Sequence, residues 1–208
     1  MQSLEQRKRI RHALIAIAAR RHRPGSGSDV AFLRQTGGAA PMEVASFDFL
    51  GVPWCLVGAL AANRYMSPRH TNDLDIAILE SDRHLAYRAL RQAGFRYGKP
   101  LSIGGAAWVS PSGTPLDVIE MRHPWAAQAL READALRREN APVMPLPYLV
   151  LMKLEASRTT DVADLARMLA LADPAELDRI RAMVERWAPA DREDMEQLVA
   201  LGRAELQE

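Results

Sequence analysis

The sequence predicts an α+β fold, in which a mixed β-sheet flanked by helices is followed by a C-terminal helical subdomain. Three observations predict it. Short apolar runs between residues 51 and 121 alternate with helical patterns and end in a hairpin. Four successive helical patterns, without a strand among them, follow Pro147. The 208 residues are 48% hydrophobic and 25% charged, which is enough to bury one core or two small ones.

Taken in order, residues 4–20 place Ile10, Leu14, Ile17 and Ala18 at helical spacing beside a cluster of Arg7, Lys8, Arg9 and Arg11, which predicts a peripheral helix. "RPGSGSD" and "QTGGAAP" read as loops, with Asp29 placed to cap a short helix between them. "VPWCLVG" is an apolar run bounded by Pro53 and Gly58, a buried strand that turns at the glycine. "ALAANRYM" is helical, "DLDIAIL" is the second strand, and "SDRHLAYRALRQAGF" is a helix closed by Gly94. "AAWVS" and "PLDVIEM" are strands joined by a Pro-Ser-Gly turn. The helices after Pro147 begin near Thr160, Asp173 and Asp191, with Pro174 at a first-turn position.

Composition excludes several classes of function. A net charge of +1 provides no whole-molecule field toward nucleic acid or membrane, although it leaves room for local basic patches. Cys55 stands alone, so no internal disulfide framework exists, and a reducing cytosol suits it. No apolar run reaches the roughly 18 residues that span a bilayer. The opening "RKRIRHALIAIAARRHR" has a short apolar centre that ends on Arg20 and Arg21 rather than on a cleavage site of small residues. The expected location is cytoplasmic, with no membrane partner.

Chemistry concentrates in "RHTNDLDIAIL". Asp73 and Asp75 are two apart, so on a strand both carboxylates project to one face. Adjacent carboxylates repel, and a divalent cation between them offsets the repulsion; hard oxygen donors at this spacing suit Mg²⁺ or Mn²⁺. Asp117, on the apolar strand "PLDVIE", is a third carboxylate that a neighbouring strand can bring to the same point. A D-x-D pair alone is a weak signal, since most such pairs are surface acids. Lys153 is the other singular residue. Of 27 basic residues only Lys8, Lys99 and Lys153 are lysine, and Lys153 interrupts an apolar helix face. A buried ammonium needs an anion. Solvent, Glu155, Asp161 or a bound phosphate would each satisfy it, and Asp161 and Asp164 follow at helical spacing.

Residues 54–79, "WCLVGALAANRYMSPRHTNDLDIAIL", combine an apolar strand, a glycine turn opening a helix, Arg-x-Thr, and Asp-x-Asp on the next strand. This stretch resembles the signature of the polymerase-beta-like nucleotidyltransferase superfamily, closest to its AbiEii-like and minimal nucleotidyltransferase (MNT) branches. The downstream "PVMPLPYLVLMKLEASRTTDVADLARML" resembles the later part of the same branch. The resemblance implies a nucleotidyltransferase-type sheet, with an N-terminal extension over residues 1–40, a catalytic core over 41–140 and a helical subdomain over 141–208. It also implies that Asp73, Asp75 and Asp117 are metal ligands and catalytic groups. Gly58, Ala59, Arg69, Thr71 and Lys153 become contacts to the nucleoside triphosphate. Ala59 departs from the pattern, where Gly or Ser is usual; a methyl offers phosphate no hydroxyl.

The implied reaction is metal-dependent transfer of a nucleoside monophosphate from a nucleoside triphosphate to an acceptor hydroxyl. The AbiEii-like resemblance further implies a toxin acting on RNA such as tRNA, restrained by a cognate antitoxin. Two alternatives stand beside it. One keeps the chemistry but takes a small antibiotic-type molecule or a protein as acceptor; the other is a catalytically degenerate protein that binds nucleotide or a partner without turnover.

Overall fold

The computed structural model describes residues 3–21, 30–34, 46–71, 73–137 and 141–206; both Gly- and Ser-rich stretches and the cap at Asp29 lie outside them. The elements in chain order are α1 (Leu4–Arg21), α2 (Val30–Leu33), β1 (Trp54–Leu56), α3 (Gly58–Ala62), β2 (Leu74–Leu79), α4 (Arg83–Gln92), β3 (Arg96–Pro100), β4 (Gly105–Val109), β5 (Pro115–Met121), α5 (Ala126–Ala135), α6 (Leu146–Ala156), α7 (Thr159–Leu171), α8 (Pro174–Trp187) and α9 (Arg192–Glu205). They form two units. One comprises Ala39–Ala61 and Arg69–Pro145, the other Met1–Gly38, Ala62–Pro68 and Leu146–Glu208.

The first unit is built on a five-stranded mixed sheet of order β1-β2-β5-β4-β3. β2 and β5 run parallel at its centre, and the other pairings are antiparallel. Alternation decides which face is buried. Leu74, Ile76 and Ile78 of β2 and Leu116 and Val118 of β5 point into one core with Trp54, Trp108, and Ala86 and Leu90 of α4. Asp75 and Asp117 fall between those positions and therefore project from the opposite face. α5 lies against β1 and β2, with Ala126, Ala129, Leu130 and Ala133 buried.

Two elements of this unit have no counterpart in the sequence reading. β3 is exposed at every residue, so it carries no apolar alternation and exists by pairing with Trp108 and Val109 of β4. α5 buries Ala126, Ala129, Leu130 and Ala133, an alanine-rich stripe at helical spacing that the sequence carries.

The second unit joins α1 to the C-terminal helices. Arg11 is 1% exposed. Its guanidinium donates to Asp194 Oδ2 at 2.7 Å, to Asp191 Oδ1 at 2.6 Å, to Ser157 Oγ at 2.8 Å and to the Leu154 carbonyl. Lys8 joins Asp191 at 3.1 Å. The basic cluster of α1 is thus largely committed to packing. α9 lies against α7 at Gly202, where an added Cβ would sit 2.0 Å from the Ala166 carbonyl oxygen. α8 is capped as its sequence predicts, with Asp173 accepting from the Glu176 N–H at 2.8 Å.

His12 adds a pH-dependent contact, its Nδ1 lying 2.8 Å from Asp194 Oδ1. The hydrogen bond to Asp194, and then the charge of that carboxylate, raise the imidazole above its ordinary 6.5. Stability from a raised His is complete below the unfolded value and fades as pH climbs through the folded one. The thermal midpoint of the wild type should therefore fall relative to His12→Ala as pH rises above about 6.5. Parallel midpoints for the two proteins across that range would show that the contact contributes nothing.

Candidate functional site

The site begins where β1 ends. The Val57 N–H donates to the Asp75 carbonyl at 3.0 Å, which fixes the turn against β2. Gly58 follows at φ +63°, a left-handed conformation that favours glycine. A Cβ on Gly58 would stand 1.9 Å from Asp75 Oδ2, so the missing side chain is the space in which the carboxylate lies. Across β2, Asp75 is the direct register partner of Asp117 on β5. Side chains aligned on parallel strands share a face about 4.8 Å apart. Gly58, Asp75 and Asp117 thus meet at one place on the sheet, and both carboxylates are half-buried.

Asp73 lies just outside this group. It is exposed and precedes the first residue of β2. Thr71 shapes the approach: its Oγ1 accepts from the Asp73 N–H at 3.4 Å and donates to the Asp73 carbonyl at 3.3 Å. Arg69 and Thr71 are half-buried in the same approach. Ala59 is buried at 7% exposure, the second residue of α3, so its backbone N–H is its only polar donor. Among the described residues, no three His, Cys, Asp or Glu side chains converge closely enough to cage a metal. The donors still suit Mg²⁺, which is usually held by one or two carboxylates together with substrate phosphates rather than by an all-protein cage.

Lys153 belongs to the helical unit and is 3% exposed. Its ammonium donates to Asp161 Oδ1 at 3.0 Å and to Asp164 Oδ2 at 2.8 Å, both on α7 and both buried. The pairing with Asp161 is one of the possibilities the sequence leaves open. Arg158 reinforces it, with its backbone N–H and guanidinium both donating to Asp161. Burial pushes the Asp161 carboxyl up, but the Arg158 hydrogen bond and the Lys153 charge outweigh it and hold the group below its ordinary range. Two of the three ammonium N–H groups are used within this cluster.

Two expected outcomes follow. Gly58→Ala should displace the Asp75 carboxylate and force a residue with a Cβ into φ > 0, costing about 1–3 kcal/mol of stability along with any activity the pair supports. A variant with wild-type melting and wild-type divalent-ion binding would mean that Asp75 has room to spare. Lys153→Ala should leave two buried carboxylates facing each other and cost roughly 3–5 kcal/mol, read by urea unfolding. An unchanged midpoint, with triphosphate affinity lost in calorimetry, would assign Lys153 to phosphate instead.

No family model matches the chain, and no curated protein matches it. Among solved structures it is similar to the solution structure of the antibiotic-resistance factor ANT(2'')-Ia, at 12% identity and a TM-score of 0.44, over 95% of this chain and 92% of that one. A crystal structure of ANT(2'')-Ia in complex with adenylyl-2''-tobramycin is similar at 16% identity and a TM-score of 0.41, over 76% of this chain and 91% of that one. Both scores are below 0.5, and the functional reading rests on the chain's own residues. No helix among the described residues is long and apolar enough to cross a membrane.

Proposed function

We propose that this chain is a metal-dependent nucleotidyltransferase of the polymerase-beta-like superfamily, moving a nucleoside monophosphate from a nucleoside triphosphate to an acceptor hydroxyl. One observation carries the reading: Gly58 leaves room for the Asp75 carboxylate, and Asp75 is the register partner of Asp117. A turn without a side chain lets phosphate oxygens approach backbone N–H groups, and the two carboxylates stand beside it.

Asp75 and Asp117 would hold Mg²⁺ or Mn²⁺, with Asp73, two residues before Asp75, as the third carboxylate of the set. The cation, when bound, neutralises phosphate charge and acidifies an oxygen near it. The backbone at Gly58 and Ala59 would bind phosphate, and Arg69 and Thr71 would line its approach. In the transfer, the acceptor oxygen bonds to the α-phosphorus, the bond from that phosphorus to the β-bridging oxygen breaks, and pyrophosphate leaves. Asp117 takes the hydroxyl proton. In-line attack places acceptor and leaving group on opposite sides of the phosphorus. With the triphosphate at Gly58 on the β1 side, the acceptor comes from the side of β5 and β4.

The test is transfer of label from each α-³²P nucleoside triphosphate, with and without Mg²⁺ or Mn²⁺, to total RNA, to tobramycin and to protein. Metal-dependent labelling of any acceptor is the expected result. Nucleotide binding without transfer in every arm would instead identify a degenerate binding protein, the reading that Ala59 favours. The finer placement in the AbiEii-like branch, with its RNA acceptor and antitoxin, is supported only by the resemblance of residues 54–79 and of the downstream "PVMPLPYLVLMKLEASRTTDVADLARML".

A further inference from the structure

Trp54, at the start of β1, borders a cavity of about 410 Å³, and every residue that lines it belongs to the sheet unit. Cavities that hold small ligands run from about 300 to 1,000 Å³. Val52 and Pro53 line it before β1, Leu79 at the end of β2, and Ala127 and Leu130 from α5. This wall is apolar: Pro53 has no N–H to satisfy, and the short side chain of Ala127 leaves the space open. Ala127, Leu130, Arg131 and Asp134 stand at i, i+3, i+4 and i+7, so one stripe of α5 runs from apolar to charged along the cavity.

Four charged residues border the cavity, two of each sign: Asp48, Asp134, Arg131 and Arg137. Asp48 and Arg137 are committed to each other. The Arg137 guanidinium donates to Asp48 Oδ2 at 2.9 Å and to Asp48 Oδ1 at 2.7 Å, and the Trp54 Nε1–H donates to Asp48 Oδ1 at 3.0 Å. These bonds, that of Arg137 first, hold the Asp48 carboxyl well below the usual carboxylate range. Arg137 also lies 5.7 Å from the Trp54 ring and so closes one face of the indole. The other two charges stand toward solvent. Arg131 is exposed, and among the described residues it is in no ion pair. Asp134 is 72% exposed and lies 3.5 Å from Arg137 Nε. That Nε is buried and donates no hydrogen bond. A free cation, an anion three residues further on and a spare donor thus rim an apolar space.

We propose that this cavity binds a free α-amino acid with a large apolar side chain, its carboxylate on Arg131, its ammonium on Asp134 and its side chain against Leu79 and Leu130. An α-amino acid carries both charges on one carbon, as residues three apart on a helix carry theirs on one face. The bordering charges cancel, so a simple anion would meet Asp134, and a simple cation Arg131, as like charges. A zwitterion satisfies both, and its carboxylate offers an acceptor to Arg137 Nε as well. The apolar wall then selects the side chain, since burial of apolar surface is the remaining source of affinity. Leu79 lies four residues beyond Asp75 on the same face of β2, about 13 Å away. That is too far for a ligand held here to receive a group at the carboxylate pair. The cavity is therefore an accessory site, and it stands whether or not the chain is a transferase.

The test uses neither nucleotide nor transfer, so its failure and that of the transferase reading are separable. NMR titration of the full chain with L-phenylalanine should shift the amides of Val52, Leu79 and Ala127 saturably, with a Kd of about 1 mM or below. Glycine, which has no side chain for the wall, should leave them in place. Phenylpropionate, which lacks the ammonium, and phenethylamine, which lacks the carboxylate, should each bind at least about tenfold more weakly than L-phenylalanine. Arg131→Gln should weaken L-phenylalanine at least about tenfold and leave phenethylamine unchanged. Asp134→Asn should weaken L-phenylalanine alike and leave phenylpropionate unchanged. Both positions are exposed, so both variants should melt as wild type. Ala127→Trp, at a half-buried position, fills the cavity and should abolish binding. No binding of L-phenylalanine by the wild type, equal binding of phenylpropionate, or full binding by Arg131→Gln or by folded Ala127→Trp would each overturn the proposal.

Discussion

Asp75→Asn should reduce label transfer by at least about 10³-fold, the several kcal/mol that cation stabilisation of phosphoryl charge contributes, while leaving the fold intact. The substitution keeps the shape that fills the space opposite Gly58 and keeps the Asp75 carbonyl that accepts from Val57. It removes one of two carboxylates that are register neighbours, so repulsion with Asp117 falls. In metal-free buffer the variant should therefore melt no lower than wild type, and Mg²⁺ should no longer raise its midpoint. Asp117→Asn should behave alike, with the added loss of the proton acceptor. Transfer within tenfold of wild type in either protein would remove the site, and a clear loss of stability without metal would make the pair structural.

Arg11→Ala should destabilise the helical unit by roughly 3–5 kcal/mol, because it leaves the Asp191 and Asp194 carboxylates buried without their main counter-charge. For a chain of this length, that corresponds to a fall in thermal midpoint on the order of 10 °C. Arg11→Lys should recover only part of it, since an ammonium cannot span Asp191, Asp194, Ser157 and the Leu154 carbonyl at once. Lys8 and His12 still reach Asp191 and Asp194 in both variants, which sets a lower bound on the residual stability. A midpoint within a degree or two of wild type would mean that α1 is a peripheral attachment, as its sequence predicts. Asp161 gives the same unit its acid sensitivity. A depressed carboxylate contributes stability that is complete above its unfolded value and is lost as pH falls through the folded one, so the unit should weaken below about pH 4.

Residues 54–79 and 115–121 are legible because their chemistry is local. The period of two places Leu74, Ile76 and Ile78 on one face and Asp75 on the other, and Pro53 and Gly58 punctuate the first strand. The placement of Asp75 follows from that spacing, whereas Asp73 is exposed and precedes the first residue of β2, so the period of two does not reach it. The helical half is legible for the same reason, with its caps at Asp173 and Pro174 readable as they stand.

What sequence alone determined here is the set of elements and the pairing of acid with apolar strand; what tertiary structure alone decided is which distant groups share a point. Asp117 meets Asp75 because β2 and β5 pair in parallel across α4, β3 and β4, a register that no local period encodes. Lys153 faces Asp161 and Asp164 rather than solvent because α6 and α7 pack on each other, and a buried ammonium takes the nearest anions. β3 exists only as a partner of β4, since its own residues bury nothing. Spacing fixes direction along one element, whereas proximity between elements is set by the burial that the whole fold achieves.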